Sequence, residues 1–532
     1  MRSVDPATVT AWYSGGQEVA LVDVREEWAY CRGHALLASS CPLSSLELMV
    51  EDLIPRRDAN VVVMDGGGVN ADALGRAAVE RLENIGFSRV GLLADGACGW
   101  EAAGYRLFSG LHVFSKLFGE YIERIHGTPE VEASHLAQAL ANGGNCIVVD
   151  TRPRHEFAQS TIPGSINVPA GELLRTLPAL VADCTTDVVV HCGGRTRGIV
   201  AAQSLIAAGL PQRVSVLKNG TIGWRLGGFE TVRGTGGGTI ERPARADVIR
   251  AYADRLLDGG SITRIDGAGL EKAIAESDAV TTYFVDVRSA EEYRAGHHPL
   301  ARNVAAGQLV QEMDRTLGVR HGRVVLLDDL GDRAAFAGHW IVRAGWRDVR
   351  WFSYEDCRAS LVCGPWRTLG SAEGRGVACN YVCAGELAAM VAAGRALVVD
   401  LSSSIEFERA RIPGALFAIR SQLPNGLDAV LPDGAMLVLT SEDGRRAGLA
   451  SHELVGRYGD RMRLLLGGNQ AWRDTGMAMD SGPGTFLNPP HDVRRSIYDN
   501  PTDVFAAMRG YIEWEIGLID DARNERYLPF AA

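Results

Sequence analysis

Short runs of apolar, mostly β-branched residues recur along the chain and alternate with segments whose apolar residues follow helical spacing. Residues 61–64 and 188–190 are runs of the first kind, and residues 71–82 and 201–208 are segments of the second kind. Strands that alternate with helices at this density predict an α/β fold in which helices cover both faces of a mainly parallel sheet. Because ligands of such sheets bind beyond the carboxyl ends of the strands, we expect the chemistry at the ends of the apolar runs.

The pattern of strands occurs four times, which indicates an internal repeat about one domain long. Each copy begins with an apolar strand that ends in aspartate, and an aromatic residue follows seven positions later. A second apolar strand then leads to a position that we call the slot. The aspartates are Asp23, Asp150, Asp286 and Asp400, the aromatic residues are Tyr30, Phe157, Tyr293 and Phe407, and the slots hold Asp65, Cys192, Asp328 and Ser441. Aspartate and slot are 42, 42, 42 and 41 residues apart, a regularity that chance does not produce.

The repeat predicts four units, at residues 1–110, 130–232, 261–370 and 375–480. A helical connector over 115–125 follows the first unit, and a glycine-rich linker over 234–238 and a helical stretch over 245–257 follow the second. Residues 481–532 form a C-terminal helical tail, in which the amphipathic segment 503–523 is interpreted as a packing helix, with a partner-binding helix as the alternative. A length of 532 residues fits this number of domains.

Composition and charge narrow the class of protein. The formal net charge is −11, which gives no electrostatic reason to expect nucleic acid or an anionic membrane as a partner. No apolar run approaches the roughly 18 residues that span a bilayer, and the first residues contain no apolar signal core, so we expect a cytoplasmic protein. The ten cysteines do not repeat their spacing from unit to unit, which argues against a disulfide framework. Cys379 and Cys383 have no second pair at zinc-finger spacing, so we expect no metal.

Only one of the four slots holds a thiol. Cys192 follows an apolar strand and precedes a turn and a helical pattern that runs to residue 210, and the turn contains Gly193, Gly194, Arg195, Thr196, Arg197 and Gly198. A thiol at this place faces a ring of backbone N–H groups and the positive end of a helix. Both features favour the thiolate and bind anions. The sequence therefore predicts that Cys192 is a nucleophile.

The motifs of the second unit follow one another in a familiar order. They are residues 150–152, 161–169, the cysteine turn and residues 217–224, and together they resemble a rhodanese (sulfurtransferase) domain over nearly the whole unit. The other units match less fully, through Asp23 and Arg25, Asp286 and Arg288, and residues 412–415. The whole chain resembles the bacterial proteins with four rhodanese modules in tandem. This resemblance implies an α/β protein of four rhodanese-like domains.

The resemblance also implies a reaction, the transfer of sulfane sulfur by double displacement. Cys192 would take sulfur from a donor such as thiosulfate, hold it as a persulfide and pass it to cyanide or a thiol. The N–H groups from Gly193 to Gly198 would stabilise both anionic forms, and Arg195 or Arg197 would pair with the oxygens of the donor. Arg154 has no counterpart in the other units and is a further candidate at the mouth of the site. No cofactor is implied, and the partners are small sulfur donors and acceptors, with a protein acceptor left open.

Two alternatives stay open. The first is a phosphatase or an arsenate reductase-like enzyme. A rhodanese-like fold also carries dual-specificity phosphatases, but their loop is Cys-x5-Arg, whereas Arg197 closes a Cys-x4-Arg loop here. The three units without a cysteine are interpreted as packing, regulatory or docking modules, so a binding scaffold throughout is the second alternative. His191 belongs to the strand, and Asp150 and Arg152 recur in units that lack the nucleophile, so we interpret all three as structural.

Overall fold

The computed structural model describes residues 2–68, 72–181, 183–235, 244–257, 261–356, 361–366, 380–496 and 503–530. Part of the glycine-rich linker, Cys379 and the boundary between the third and fourth units lie outside these ranges. The described residues form four sheets of five or six strands, all paired in parallel, and one antiparallel pair of two-residue strands. The predicted α/β fold with four mainly parallel sheets is confirmed.

The first module and the connector that follows it contain seven strands and six helices. They are β1 (Arg2–Val4), α1 (Pro6–Gly15), β2 (Val19–Asp23), α2 (Glu27–Tyr30), β3 (His34–Ala35), β4 (Ser39–Ser40), α3 (Leu46–Leu53), β5 (Asn60–Met64), α4 (Asp72–Ile85), β6 (Val90–Leu93), α5 (Gly96–Ala102), β7 (Leu107–Phe108) and the connector α6 (Val113–His126). The order of strands in the sheet is β1-β6-β5-β2-β4. Strand β2 is buried along its whole length, which explains why its residues are continuously apolar rather than alternating.

The second module carries Cys192. Its elements are β8 (Glu130–Val131), α7 (Ala133–Ala141), β9 (Cys146–Asp150), α8 (Arg154–Gln159), β10 (Ile166–Asn167), a 3-10 turn (Ala170–Glu172), α9 (Leu173–Leu180), β11 (Asp187–His191), α10 (Thr196–Ala207), β12 (Val214–Leu217) and α11 (Gly220–Leu226), and α12 (Ala246–Leu257) follows. The sheet order is β10-β9-β11-β12-β8. Asp150 pairs in register with His191, so the ends of β9 and β11 lie at the same edge of the sheet.

The third and fourth modules repeat this plan. The third contains β13 (Ile262–Ile265), α13 (Gly267–Ala275), β14 (Thr282–Asp286), α14 (Ala290–Ala295), β15 (Arg302–Asn303), α15 (Ala306–Gln311), α16 (Met313–Thr316), β16 (Arg323–Asp328), α17 (Asp332–Arg343) and β17 (Val349–Ser353). The fourth contains β18 (Asn380–Val382), α18 (Ala384–Ala392), β19 (Ala396–Asp400), α19 (Ser404–Arg409), β20 (Leu416–Phe417), α20 (Leu427–Val430), β21 (Met436–Thr440), α21 (Arg445–Tyr458), β22 (Met462–Leu465), α22 (Gly468–Asp474) and β23 (Thr485–Phe486). The sheet orders are β13-β17-β16-β14-β15 and β18-β22-β21-β19-β20-β23.

The C-terminal tail differs in part from the sequence prediction. Strand β23 lies beyond residue 480, where we expected the fourth unit to end, and it extends the fourth sheet by pairing with β20. The predicted amphipathic helix is present as α23 (Val504–Asp521), and the Asp503 side chain caps it by accepting the N–H of Ala506. Helix α23 packs against the connector α6 and against α11 of the second module. The tail therefore returns to the module that carries Cys192.

The first three modules share one continuous hydrophobic core with α6, α12 and α23, whereas the fourth has hydrophobic clusters of its own. The fourth module meets the first through polar contacts, among them Arg420 with both carboxylate oxygens of Glu47, each at 2.8 Å. Within the first three modules, the aspartate that ends the first long strand pairs with the arginine two residues later, as in the 2.7 Å contact between Asp150 and Arg152. This recurrence is consistent with a structural role for that pair.

A network of charges joins the second and third modules. Asp328, Asp329 and Asp332 lie close enough together to resemble a cation site. Two guanidinium groups neutralise them. Nη2 of Arg175 in the second module lies 2.5 Å from Asp332 and 2.9 Å from Asp329, and Nη1 of Arg333 lies 3.6 Å from Asp328 and 3.4 Å from Asp329. Burial and the neighbouring Asp332 raise the pKa of Asp328 well above its usual value. The two arginines therefore neutralise carboxylates that burial would otherwise destabilise.

We expect Arg175→Ala to destabilise the chain by about 3–5 kcal/mol, because it leaves Asp332 without the arginine that it contacts and Asp328 and Asp329 with Arg333 alone. Folding raises the pKa of Asp328, so ionisation of this carboxyl group makes the folded state less stable as the pH rises. Arg175 offsets that loss, and the decrease in melting temperature should therefore be smaller near pH ~5 than near pH ~8. The exposed pair of Arg213 and Asp187 provides the control, and Arg213→Ala should leave the melting temperature unchanged. Equal melting temperatures for the two variants would contradict this account.

Candidate active site

Cys192 lies at the end of the buried strand β11, and the turn that follows curls around its sulfur. The residue is 2% exposed, and the N–H groups of Gly198 and Gly194 lower the pKa of its thiol. Gly198 lies tightly against β12, since a Cβ there would be 2.9 Å from Val216 and 3.7 Å from Sγ of Cys192. We call the ring of backbone N–H groups from Gly193 to Gly198 the cradle.

The start of α11 holds the cradle in position. The N–H of Thr221 donates to the carbonyl of Cys192 at 2.9 Å, and the N–H of Ile222 donates to that of Gly193 at 3.0 Å. Gly220 makes this close approach possible because its φ is +56° and a Cβ there would lie only 2.3 Å from the carbonyl oxygen of Cys192. With these two carbonyls bound on the outside of the turn, the N–H groups of Gly194 and Gly198 face the sulfur of Cys192.

The charge state of Cys192 differs from the sequence expectation. We expected the cradle to favour the thiolate, and its N–H groups and Arg197 do lower the pKa. Burial has the larger effect, and together with the negative charge of Glu515 it raises the pKa of Cys192 above its usual value. As a thiol, Cys192 donates to the carbonyl oxygen of Arg195 at 3.7 Å. The raised pKa could not be predicted from the sequence, because the local pattern does not show that other segments of the chain bury Cys192.

The two arginines of the turn point to different partners. Arg195 is 8% exposed and forms a two-pronged ion pair with Glu120 of the connector α6, at 2.6 and 2.9 Å. Arg197 pairs with Glu156 of α8, also at 2.6 and 2.9 Å. The positive charge of Arg197 lowers the pKa of Cys192. The guanidinium of Arg195 thus fastens the turn to the connector, while that of Arg197 acts on the sulfur.

The other sequence candidates occupy less central places. Arg154 is exposed at the start of α8. His191 is fully buried, and its Nε2 forms a hydrogen bond of 3.0 Å with the hydroxyl of Ser165. Burial lowers the pKa of His191, which favours the neutral ring. This environment is typical of a structural histidine.

The C-terminal helix α23 contributes residues that the sequence analysis did not identify. Oε1 of Glu515 accepts a hydrogen bond from Oγ1 of Thr196 at 2.7 Å, and Tyr511 also lies beside the turn. The sequence does contain a feature that could have indicated Glu515. This glutamate lies on the apolar face of the helix, together with Met508, Ile512 and Leu518. A glutamate in such a position needs a polar partner, and only the fold shows that the partner belongs to the cradle.

In the other three modules, the side chain of the slot residue accepts hydrogen bonds from the turn that follows it. Oδ2 of Asp328 accepts the N–H groups of Arg333 and Ala334 at 2.9 and 3.2 Å, and Oδ1 accepts that of Asp329. Oδ1 of Asp65 accepts the N–H of Gly67 at 3.0 Å, and Oγ of Ser441 accepts that of Ala447 at 3.3 Å. In each case the side chain in the slot is an acceptor for the turn that follows it. None of these three side chains carries a sulfur atom.

Comparison with known proteins agrees with the repeated fold. The model of the rhodanese-like domain matches residues 6–103, 132–226, 268–354 and 384–475, which is more than half of the chain. The chain belongs to the rhodanese family. The resemblance to proteins with four rhodanese modules in tandem is therefore confirmed, and Cys192 lies within the second matched region.

Similar proteins include one that corresponds to the whole chain. The crystal structure of a thiosulfate sulfurtransferase from Pseudomonas aeruginosa has a TM-score of 0.92 and 35% sequence identity, and the match covers 100% of this chain and 99% of that one. A sulfurtransferase of Allochromatium vinosum is 30% identical over 105 residues, which are 19% of this chain and 94% of that protein. An HTH-type transcriptional regulator of Mycobacterium tuberculosis is 34% identical over 110 residues, so the chain spans about half (47%) of the regulator's length.

None of the helices in the described ranges combines the length and the apolar character that a bilayer-spanning helix needs.

The raised pKa of Cys192 predicts a pH profile for its alkylation. Because the thiolate is the reactive form, we expect the rate with iodoacetamide to rise about tenfold per pH unit from pH ~7 to ~9. Peptide-resolved mass spectrometry would measure this rate, with the exposed Cys184 in the same sample as an internal reference for the reagent. A rate that reaches its plateau below pH ~7 would contradict the raised pKa.

Proposed function

We propose that this rhodanese-family chain is a sulfurtransferase that moves sulfane sulfur from thiosulfate, or from a persulfide, to a thiophilic acceptor through a persulfide on Cys192. The observation that carries the proposal is the contrast among the four slots. Three slots hold an oxygen acceptor that already binds its own turn, and Cys192 is the slot with a sulfur nucleophile. The similarity to the Pseudomonas aeruginosa thiosulfate sulfurtransferase over the whole chain supports the same reaction class.

The reaction consists of two balanced displacements. The Cys192 thiol first loses its proton to solvent, and the thiolate attacks the outer sulfur of thiosulfate. The S–S bond of thiosulfate breaks, sulfite leaves with the electron pair, and Cys192 becomes a persulfide. In the second step the carbon of cyanide, or the sulfur of a thiolate, attacks the terminal sulfur and restores the Cys192 thiolate. Each step moves one electron pair and one sulfur atom, so no external oxidant or reductant is needed.

The cradle serves both steps because both covalent states of the cysteine are anionic. The N–H groups of Gly194 and Gly198 favour the anion at the sulfur and are fixed by the backbone, so they need little reorganisation when the charge moves. Arg197 adds a fixed positive charge beside the sulfur and can pair with an oxyanion of the donor. Arg195 positions the turn through Glu120, and Arg154 contributes charge at the mouth. The other three modules serve as non-catalytic packing or docking modules.

We expect Cys192→Ser to abolish thiosulfate:cyanide sulfurtransfer, because serine cannot hold sulfane sulfur. Incubation of the wild-type chain with thiosulfate should add about 32 Da, one sulfur atom, to the peptide that contains Cys192. Cys184→Ser is the matched control, because this exposed thiol lies in the same module; it should retain full activity.

Undiminished activity of Cys192→Ser would exclude the proposed role of the thiol. A wild-type chain without activity toward any sulfur donor would favour the binding scaffold. Turnover of an aryl phosphate that is lost in Cys192→Ser would instead indicate a phosphatase.

The geometry also predicts unequal effects for the arginines. We expect Arg197→Gln to lower kcat/KM for thiosulfate about 10- to 100-fold, because it removes a charge that acts on both the sulfur and the donor. The same variant should raise the pKa of Cys192 in the alkylation profile. Arg154→Gln should raise KM by less than about threefold and leave the profile unchanged, since its charge is exposed to solvent. Equal losses in both variants would contradict this assignment.

A further inference from the structure

Helix α23 packs directly against the cradle beside Cys192. A Cβ placed on Gly194 would lie 3.2 Å from Oε2 of Glu515, 3.2 Å from Cε1 of Tyr511 and 3.9 Å from Ile512. These three residues thus form a wall directly against the turn of the active-site module. The wall belongs to the C-terminal tail, about three hundred residues further along the chain than Cys192.

The carboxylate of Glu515 is buried within this wall. The residue is 1% exposed, and its Oε1 accepts a hydrogen bond from Oγ1 of Thr196 at 2.7 Å and a long one from the N–H of Thr196 at 3.4 Å. Oε2 is buried and has no hydrogen-bond partner among the described residues. A buried carboxylate oxygen without a partner is costly, so its retention beside an anion-binding turn calls for a functional explanation.

The negative charge of Glu515 acts electrostatically on the sulfur of Cys192. It raises the pKa of Cys192, while Arg197 lowers that pKa. Lys116 of the connector is also attracted to Glu515, but burial lowers the pKa of this lysine to about 8, so it is a weak counter-charge at higher pH. The mouth of the cradle therefore presents a negative group and a positive group to the incoming donor.

We infer that Glu515 is a specificity-determining residue that makes the Cys192 site discriminate against donors with two negative charges and favour singly charged or uncharged ones. Thr196 of the cradle already binds a carboxylate, so a dianion such as thiosulfate must approach against a like charge in a water-poor site. An organic persulfide carries one negative charge and meets half of this repulsion. This inference rests on the proposed sulfurtransfer for the identity of the donor, but the charge selection itself is a property of the thiol site.

Alkylation of Cys192 tests the selection without any sulfur transfer. Iodoacetamide is neutral and iodoacetate is an anion, and both attack the same thiolate, so the ratio of their rate constants cancels the thiolate fraction. We expect Glu515→Gln to lower the ratio of iodoacetamide to iodoacetate rates about tenfold, because it removes a charge and keeps the shape of the side chain. Glu513→Gln, on the exposed face of the same helix, should change the ratio less than about twofold.

A second variant separates charge from steric cover. Ile512→Ala loosens the packing of α23 against Ile222 without altering the charge, so it should accelerate both reagents by the same factor. Equal acceleration of both reagents in Glu515→Gln would show that the helix only covers the site and would overturn the inference. An unchanged ratio in Glu515→Gln would overturn it as well.

Steady-state assays then connect the selection to the donor. In Glu515→Gln we expect kcat/KM to rise about tenfold for thiosulfate and less than about threefold for the persulfide of 2-mercaptoethanol, which carries one negative charge. If the alkylation ratio shifts while no chain transfers sulfur, the proposed function fails and the charge selection by Glu515 stands. If sulfur transfer depends on Cys192 but the two donors respond equally, the inference fails and the proposed function stands.

Discussion

The turn after the second long strand of each module creates a constraint on which the rest of the site depends. Its N–H groups converge on one point, and a buried N–H group that lacks an acceptor costs free energy. The chain meets this demand with an acceptor from the slot itself: the carboxylates of Asp65 and Asp328, the hydroxyl of Ser441 and the sulfur of Cys192. A carboxylate is a strong acceptor that engages the N–H groups of the turn, whereas a thiol is a weak acceptor. With a thiol in the slot, the N–H groups can still stabilise an anion. One geometry can thus serve the fold in the first, third and fourth modules and the proposed chemistry in the second.

The modules without a cysteine take part in the site through packing. The connector α6 after the first module holds Arg195 through Glu120, and it approaches the cradle so closely that a Cβ on Gly119 would lie 2.7 Å from Cγ2 of Thr196. The third module binds Arg175 of the second, and the tail beyond the fourth module supplies Glu515. The cysteine turn is therefore surrounded by segments from distant parts of the chain, which explains why its thiol is 2% exposed and why burial governs its pKa.

Much of the fold and of the site follows from local patterns. The runs of apolar residues predict the central parallel strands, and the constant interval between aspartate and slot predicts the repeat, because both are properties of single segments. The same reasoning identifies Cys192 and its turn. It could not decide whether Arg195 or Arg197 acts on the sulfur. The two residues lie close together at the start of α10, but their side chains point in different directions, to partners on α6 and α8. It also predicted a stabilised thiolate, because the turn was considered without the helix that covers it.

The sequence by itself determined the α/β class, the four repeated modules and the presence of a cysteine in one of the four slots, because the period of apolar residues and the identity of the slot residue are local. The tertiary structure decided the electrostatics of the nucleophile. Burial, the placement of Arg197 and the approach of Glu515 depend on contacts between residues that are hundreds of positions apart in some cases. Coulomb interactions depend on distance and on the exclusion of water, and neither quantity can be derived from the order of residues until the chain has folded.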